Sequence, residues 1–181
     1  MHVGIPITIF LAAAVLTLSR MGRKWGPPAG TANWVWTSSA QSSVTSQLFA
    51  DPYSFSHLLH GIIFYYLGRA AGLSFQTSLL VATALECAWE ISENTTAVIN
   101  KYRQETASLG YQGDSILNSV GDIVWMLAGF VLSATVSWQV SVATVLAVEL
   151  IMLYVYRDNL FLNVLMLLAP SKKIKDWQLR Q

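Results

Sequence analysis

Residues 84–94, ALECAWEISEN, set Glu86, Glu90 and Glu93 at helical spacing inside a stretch that is otherwise apolar. Positions i, i+4 and i+7 share one face of a helix, so the three carboxylates form a stripe, with Asn94 beside it. An ionised carboxylate in a dry core or at bilayer depth costs several kcal/mol unless it is paired, hydrated or bound to a cation. Any fold open to this chain must therefore bring other polar elements onto that face.

The surrounding chain is rich in apolar side chains: of 181 residues 54% are hydrophobic and 12% charged, with seven tryptophans. A balance so far from that of a soluble domain predicts an integral membrane protein, and a net charge of +1 gives no reason to expect nucleic acid as a partner. Cys87 is the single cysteine and has no internal disulfide partner. A bilayer core of about 30 Å needs about 20 mostly apolar residues per helix. That requirement predicts five spans, at 3–19, 54–73, 77–98, 114–135 and 139–156. A shorter apolar run after 156 reads as an interfacial or re-entrant helix. The expected fold is an all-α integral membrane bundle of about five transmembrane helices plus that C-terminal helix. It forms one domain, 1–181, comprising a first span at 1–19, an interfacial loop at 20–53, a polar-cored bundle at 54–169 and a solvated tail at 170–181. The first span lacks a basic leader and reads as retained. The loop carries Trp25, Trp34 and Trp36, which suit the headgroup zone.

Other polar residues answer the glutamate stripe. Asp114, Asn118 and Asp122 recur every fourth residue on the fourth predicted span, His57 and His60 open the second, and Arg157, Asp158 and Asn159 follow the fifth. Alternating chain direction puts all of these at one end of the bundle, forming a funnel closed at its base. Asp114 also suits a helix N-cap. Acids outnumber the histidines, so the pocket needs either shared protons or a bound cation, and His with Asp and Glu is a ligand set for divalent metals. We read His57, His60, Glu90 and Asp114 as metal ligands, Glu86, Glu90, Glu93 and Asp122 as catalytic candidates, and Arg103, Asn118, Arg157 and Asn159 as substrate-binding candidates facing a headgroup. Lys and Arg cluster on the funnel side, which predicts that side to be cytoplasmic.

The blocks SQLFADPYSFSHLLHGIIFYYLGR, ECAWEISENT, YQGDSILNSVGD and YRDNLFLNVLMLLAP resemble those of uncharacterised protein family 0314, bacterial multi-pass inner-membrane proteins. The resemblance runs from about Arg23 to the end and implies location in a bacterial inner membrane. More distantly, Asp51 with His57, Glu86 or Glu90, Arg103, and the spacing of Asp114, Asn118 and Gly121 are similar to VanZ-like proteins. Those proteins usually carry a Lys after the first acid, where this chain has Pro52. Neither resemblance implies a reaction. The expectation from the residues is a polar pocket open to one leaflet, serving a metal-assisted enzyme that acts on a lipid or lipid-linked substrate. The alternative is an accessory subunit of a larger membrane complex, its polar cluster structural. A transporter is disfavoured by the absence of an internal repeat.

Overall fold

The computed structural model describes residues 3–180; residues 1 and 2 of the expected first span and residue 181 of the expected tail lie outside the described residues. Eight helices follow in order: α1 (Gly4–Arg20), α2 (Ser54–Ala70), α3 (Phe75–Glu93), α4 (Thr96–Glu105), α5 (Ile116–Thr135), α6 (Trp138–Tyr156), α7 (Leu160–Leu168) and α8 (Lys172–Gln178). The chain is all-α, but the five-span membrane bundle is overturned. Among the described residues only α5 and α6 are long and apolar enough to cross a membrane. The apolar α1 is 17 residues long, α2 has 17 with two histidines inside, and α3 spends its length on the glutamate stripe. The predicted windows had run through turns. Gly72 at φ +70° closes α2, and the helix of 77–98 breaks at Asn94. A short apolar helix does follow α6, the nine-residue α7, but part of the expected solvated tail folds as α8 with Gln178 buried. Two apolar helices suggest membrane association and do not support a multi-pass arrangement. Of the two, α5 is mostly buried as the core helix, whereas α6 leaves Leu146, Leu150, Ile151 and Tyr154 exposed, the last at 90%.

Side chains set half of the helix starts. Ser74, Thr95, Ser115 and Asn159 each accept a hydrogen bond from the backbone N–H three residues on, satisfying one of the donors a helix start leaves open. At the far end of α6, Arg157 adopts φ +50° and turns the chain into α7.

The centre is the pair α2 and α5, which touch backbone to backbone. A Cβ on Gly61 would lie closer than 3.0 Å to the Met126 carbonyl oxygen, and one on Gly129 equally close to the Leu58 carbonyl oxygen. Apolar packing fills one half, with Leu79, Ala82, Met126 and Phe130 in one cluster and Ala14, Cys87 and Ile123 of α1, α3 and α5 in another. The long segment 21–53 does not stand apart from the bundle. Ser46 and Lys24 carbonyls accept from the Ser115 and Ile116 N–H groups, and the Asn118 amide donates to the Leu48 carbonyl at 2.8 Å, so this loop holds the start of α5.

Where α6 gives way to α7, Asp158 is buried and accepts from the Asn159 N–H (3.0 Å) and the Gln178 amide (3.1 Å), with the Tyr53 hydroxyl 3.4 Å away. Burial outweighs those donors and pushes its carboxyl up to about 6 from 3.8. The folded chain thus keeps a proton on Asp158 that the unfolded chain releases at lower pH, so this residue's contribution to stability is full below pH 3.8 and falls as pH rises to about 6. Between pH 4 and 7, we expect thermal melts of wild type to lose about 3 kcal/mol relative to Asp158→Asn. Parallel curves for the two proteins would contradict this.

Candidate metal centre

The glutamate stripe of α3 turns inward, and its members meet different surroundings. Glu86 is fully buried and accepts from both histidines of α2: His57 Nδ1 lies 2.6 Å from Oε1, and His60 Nδ1 lies 3.1 Å from Oε2. An ionised carboxylate only accepts, so these contacts place the proton on Nδ1 of both rings. His57 Nε2 lies 3.8 Å from Asp122 Oδ2, too long for a hydrogen bond. Asp122 Oδ1 is fixed by the Ser54 hydroxyl at 2.7 Å. This is the carboxylate–histidine arrangement that orients a metal-ligating imidazole.

One turn along α3, Glu90 is also fully buried, and neither of its oxygens accepts a hydrogen bond; His57 Nδ1, committed to Glu86, is 3.5 Å from Oε1. Such groups are rare in folded proteins, because an unsatisfied buried charge forfeits its hydration with nothing in return. At the end of α3, Glu93 faces Asp114, whose Oδ2 accepts from the Asn94 amide and the Tyr111 hydroxyl, each at 2.8 Å. Burial raises the Asp114 carboxyl above 3.8, opposed by hydrogen bonds from Tyr111, Ser46 and Asn94. The same burial, with Asp114 beside it, raises the Tyr111 phenol well above 10.0. Asp51 behaves alike: burial raises it although the Ser46 and Tyr53 N–H groups donate to it at 2.6 and 2.7 Å.

His57, His60, Glu93, Tyr111, Asp114 and Asp122 line a cavity of about 130 Å³ between the starts of α2 and α5, the end of α3, and α4 and α7. Among the described residues lining it there is no lysine or arginine. A second, larger cleft of about 620 Å³ shares Ser46, Tyr53, Ser108 and Tyr111 with it and opens between the 24–47 and 107–112 segments. Three His/Asp/Glu sets here offer ligand atoms within 4.8 Å of one another: His57, His60 and Glu86; His57, Glu90 and Asp122; and Glu90, Glu93 and Asp114. In the first set the groups already bind each other, so a cation there would have to break the Glu86 hydrogen bonds. The other two share Glu90, whose oxygens have no hydrogen bond to lose.

The structure thus brings together His57, His60, Glu86, Glu90, Glu93, Asp114, Asn118 and Asp122. It does not bring three of the substrate-binding candidates to the cavity wall. Arg103 is exposed and its Nε donates to the Tyr111 carbonyl; Arg157 donates to the Trp177 carbonyl at 3.1 Å and lies over that ring; Asn159 caps α7 and donates to the Glu149 carbonyl. Tyr53, Tyr102 and Tyr111, which sequence reasoning missed, line the cavity instead. Tyr53 lies four residues before His57 and Tyr111 three before Asp114, a spacing that could have marked them; Tyr102 lies on α4, where a loop was expected.

Among known proteins, a family model described as "Protein of unknown function (DUF2585)" matches residues 18–180. A UPF0314 protein of Sphingopyxis alaskensis is 44% identical over 183 residues, 97% of each chain. Those of Sinorhizobium fredii and Rhizobium meliloti are each 45% identical over 170 residues, covering 93% of this chain and 86% of theirs. No solved structure matches. The resemblance to VanZ-like proteins is not supported by these matches, whereas that to family 0314 is. With a family model covering nearly the whole chain and bacterial relatives this close, the protein belongs to the UPF0314 (DUF2585) family.

Proposed function

We propose that this protein is a membrane-associated enzyme that holds a divalent cation between His57, Glu90 and Asp122 and uses it on a lipid or lipid-linked substrate. The observation that carries the reading is Glu90: a fully buried carboxylate without a hydrogen bond, beside the His57 imidazole, whose other nitrogen lies 3.8 Å from a second carboxylate oxygen, that of Asp122. The donor set, one nitrogen and carboxylate oxygens, suits borderline and hard divalent ions. When bound, such an ion supplies Lewis-acid polarisation of a phosphoryl or acyl oxygen and activation of water. The residues divide the remaining work. Glu86 holds both imidazoles and keeps the His57 proton on Nδ1. Ser54 orients Asp122. Tyr53 and Tyr111 line both the inner cavity and the outer cleft, their hydroxyls directed at Asp158 and Asp114. Glu93 lines the cavity beside Tyr102.

Metal analysis after equilibration with Zn2+ or Mn2+ and gel filtration is expected to find at least one ion per chain, and fewer after His57→Ala. Chelator-sensitive release of a headgroup from mixed-lipid vesicles or lipid-linked phosphodiesters is the accompanying activity readout. Wild-type protein that emerges free of metal would overturn the reading.

A second reading rests on a different surface. The exposed apolar face of α6, with Leu146, Leu150, Ile151 and Tyr154, fits an accessory subunit packed on a larger membrane complex. Native mass after gentle extraction separates the two, since a free monomer or homo-oligomer argues against the subunit role.

A further inference from the structure

We propose that Glu90 bridges two divalent cations, the second held by Glu93 and Asp114, so that the centre is binuclear; this rests on the single-cation reading above and extends it. The two usable ligand sets, His57/Glu90/Asp122 and Glu90/Glu93/Asp114, have only Glu90 in common. A carboxylate with both oxygens unengaged is what a bridge requires, and Glu90 is fully buried with neither oxygen accepting a hydrogen bond. The positions follow from the fold. Glu90 and Glu93 lie three apart on the last turns of α3, while Asp122 on α5 and Asp114 just before it reach the stripe from two heights, eight residues apart.

Charge points the same way. Glu86 is matched by the histidines, and Asp51 by backbone N–H groups. Glu90, Glu93, Asp114 and Asp122 then leave four carboxylates, four negative charges when ionised, and all but Glu90 line a cavity whose described lining holds no lysine or arginine. One divalent ion neutralises half of them, and two neutralise all. Each set supplies three protein ligands, which leaves coordination positions open toward the cavity for the oxygens of a substrate or of water. The supporting donors are already in place: Ser54 holds Asp122 on one side, and Asn94 with Tyr111 holds Asp114 on the other. The sets differ in character. The histidine-bearing one accepts borderline metals, whereas the three-carboxylate one favours hard ions such as Mn2+ or Mg2+. Two ions about 3.5–4 Å apart form a clamp suited to an anionic phosphoester oxygen, which narrows the substrate class to lipid or lipid-linked phosphoesters.

The test is titration of the full-length chain with MnCl2, following bound metal and the electron paramagnetic resonance spectrum. Wild type is expected to bind two Mn2+ per chain and give a broadened, exchange-coupled spectrum, and Glu93→Gln to bind one and give an uncoupled six-line spectrum. Asp114→Asn should repeat the Glu93→Gln result if that variant fails to fold, and the wild-type spectrum is decisive without either. Saturation of wild type at one uncoupled Mn2+ overturns the bridge while leaving the single-cation site standing. No bound Mn2+ overturns the bridge, and no bound Zn2+ either overturns both.

Discussion

Glu90→Gln is expected to reverse the response of this protein to divalent metal. In wild type, an ion bound only to the folded state at a thousandfold excess over its Kd adds about 4 kcal/mol. For a chain of this length that raises Tm by about 8–16 °C. The glutamine variant keeps the shape but removes the charge, and its amide can donate to the neighbouring carboxylates of Glu93, Asp114 or Asp122. Without metal, therefore, Glu90→Gln melts higher than wild type, because wild type then carries an unsatisfied buried carboxylate. With saturating metal the order inverts, since the variant has lost the ligand common to both usable sets. Calorimetry of both proteins with EDTA and with Mn2+ gives four melting points. An undiminished metal-dependent shift in the variant would remove Glu90 from the centre, and a variant less stable than wild type in EDTA would show that its carboxylate is satisfied.

The second large effect concerns the scaffold. Gly61→Ala and Gly129→Ala are each expected to lower stability by about 3 kcal/mol, because the added methyl meets the backbone of the facing helix and cannot be relieved by a rotamer change. In melting temperature this is a drop of about 6–12 °C. Gly110→Ala, where an added Cβ meets nothing within 4 Å, is the control and should stay within about 0.5 kcal/mol. Both glycines serve one α2–α5 contact, so the double variant should fall short of the sum. The site would suffer with the scaffold, since His57 rides on α2 and Asp122 on α5. A loss under about 1 kcal/mol in either single variant would show that the helices can part cheaply.

Much of the centre could be read before any coordinates. Three glutamates at i, i+4 and i+7 in an apolar run have to face inward, and Asp122 lies six residues inside α5 with no capping role to explain it. His57 and His60, one turn apart, belong to the same end by chain direction alone. The number of spans was not legible in the same way. Apolar length does not distinguish a helix facing lipid from one buried by its neighbours, and α5 is of the second kind. The substrate arginines misled for a related reason. Arg103 and Arg157 are near the site in sequence, yet long side chains bond to whatever carbonyl the turn presents, here those of Tyr111 and Trp177.

Residue spacing by itself determined that this chain is helical and that its acids and histidines must gather at one end, because periodicity dictates which side chains share a face and burial of charge forbids leaving that face uncovered. Only the tertiary structure decided what each carboxylate does. Glu86 and Glu90 are one helical turn apart and chemically identical, yet the first accepts from two imidazole N–H groups and the second accepts no hydrogen bond. That difference comes from where α2 lies against α3, where Gly68 lets α2 approach Ser78 closely, and the local sequence around either glutamate carries no trace of it.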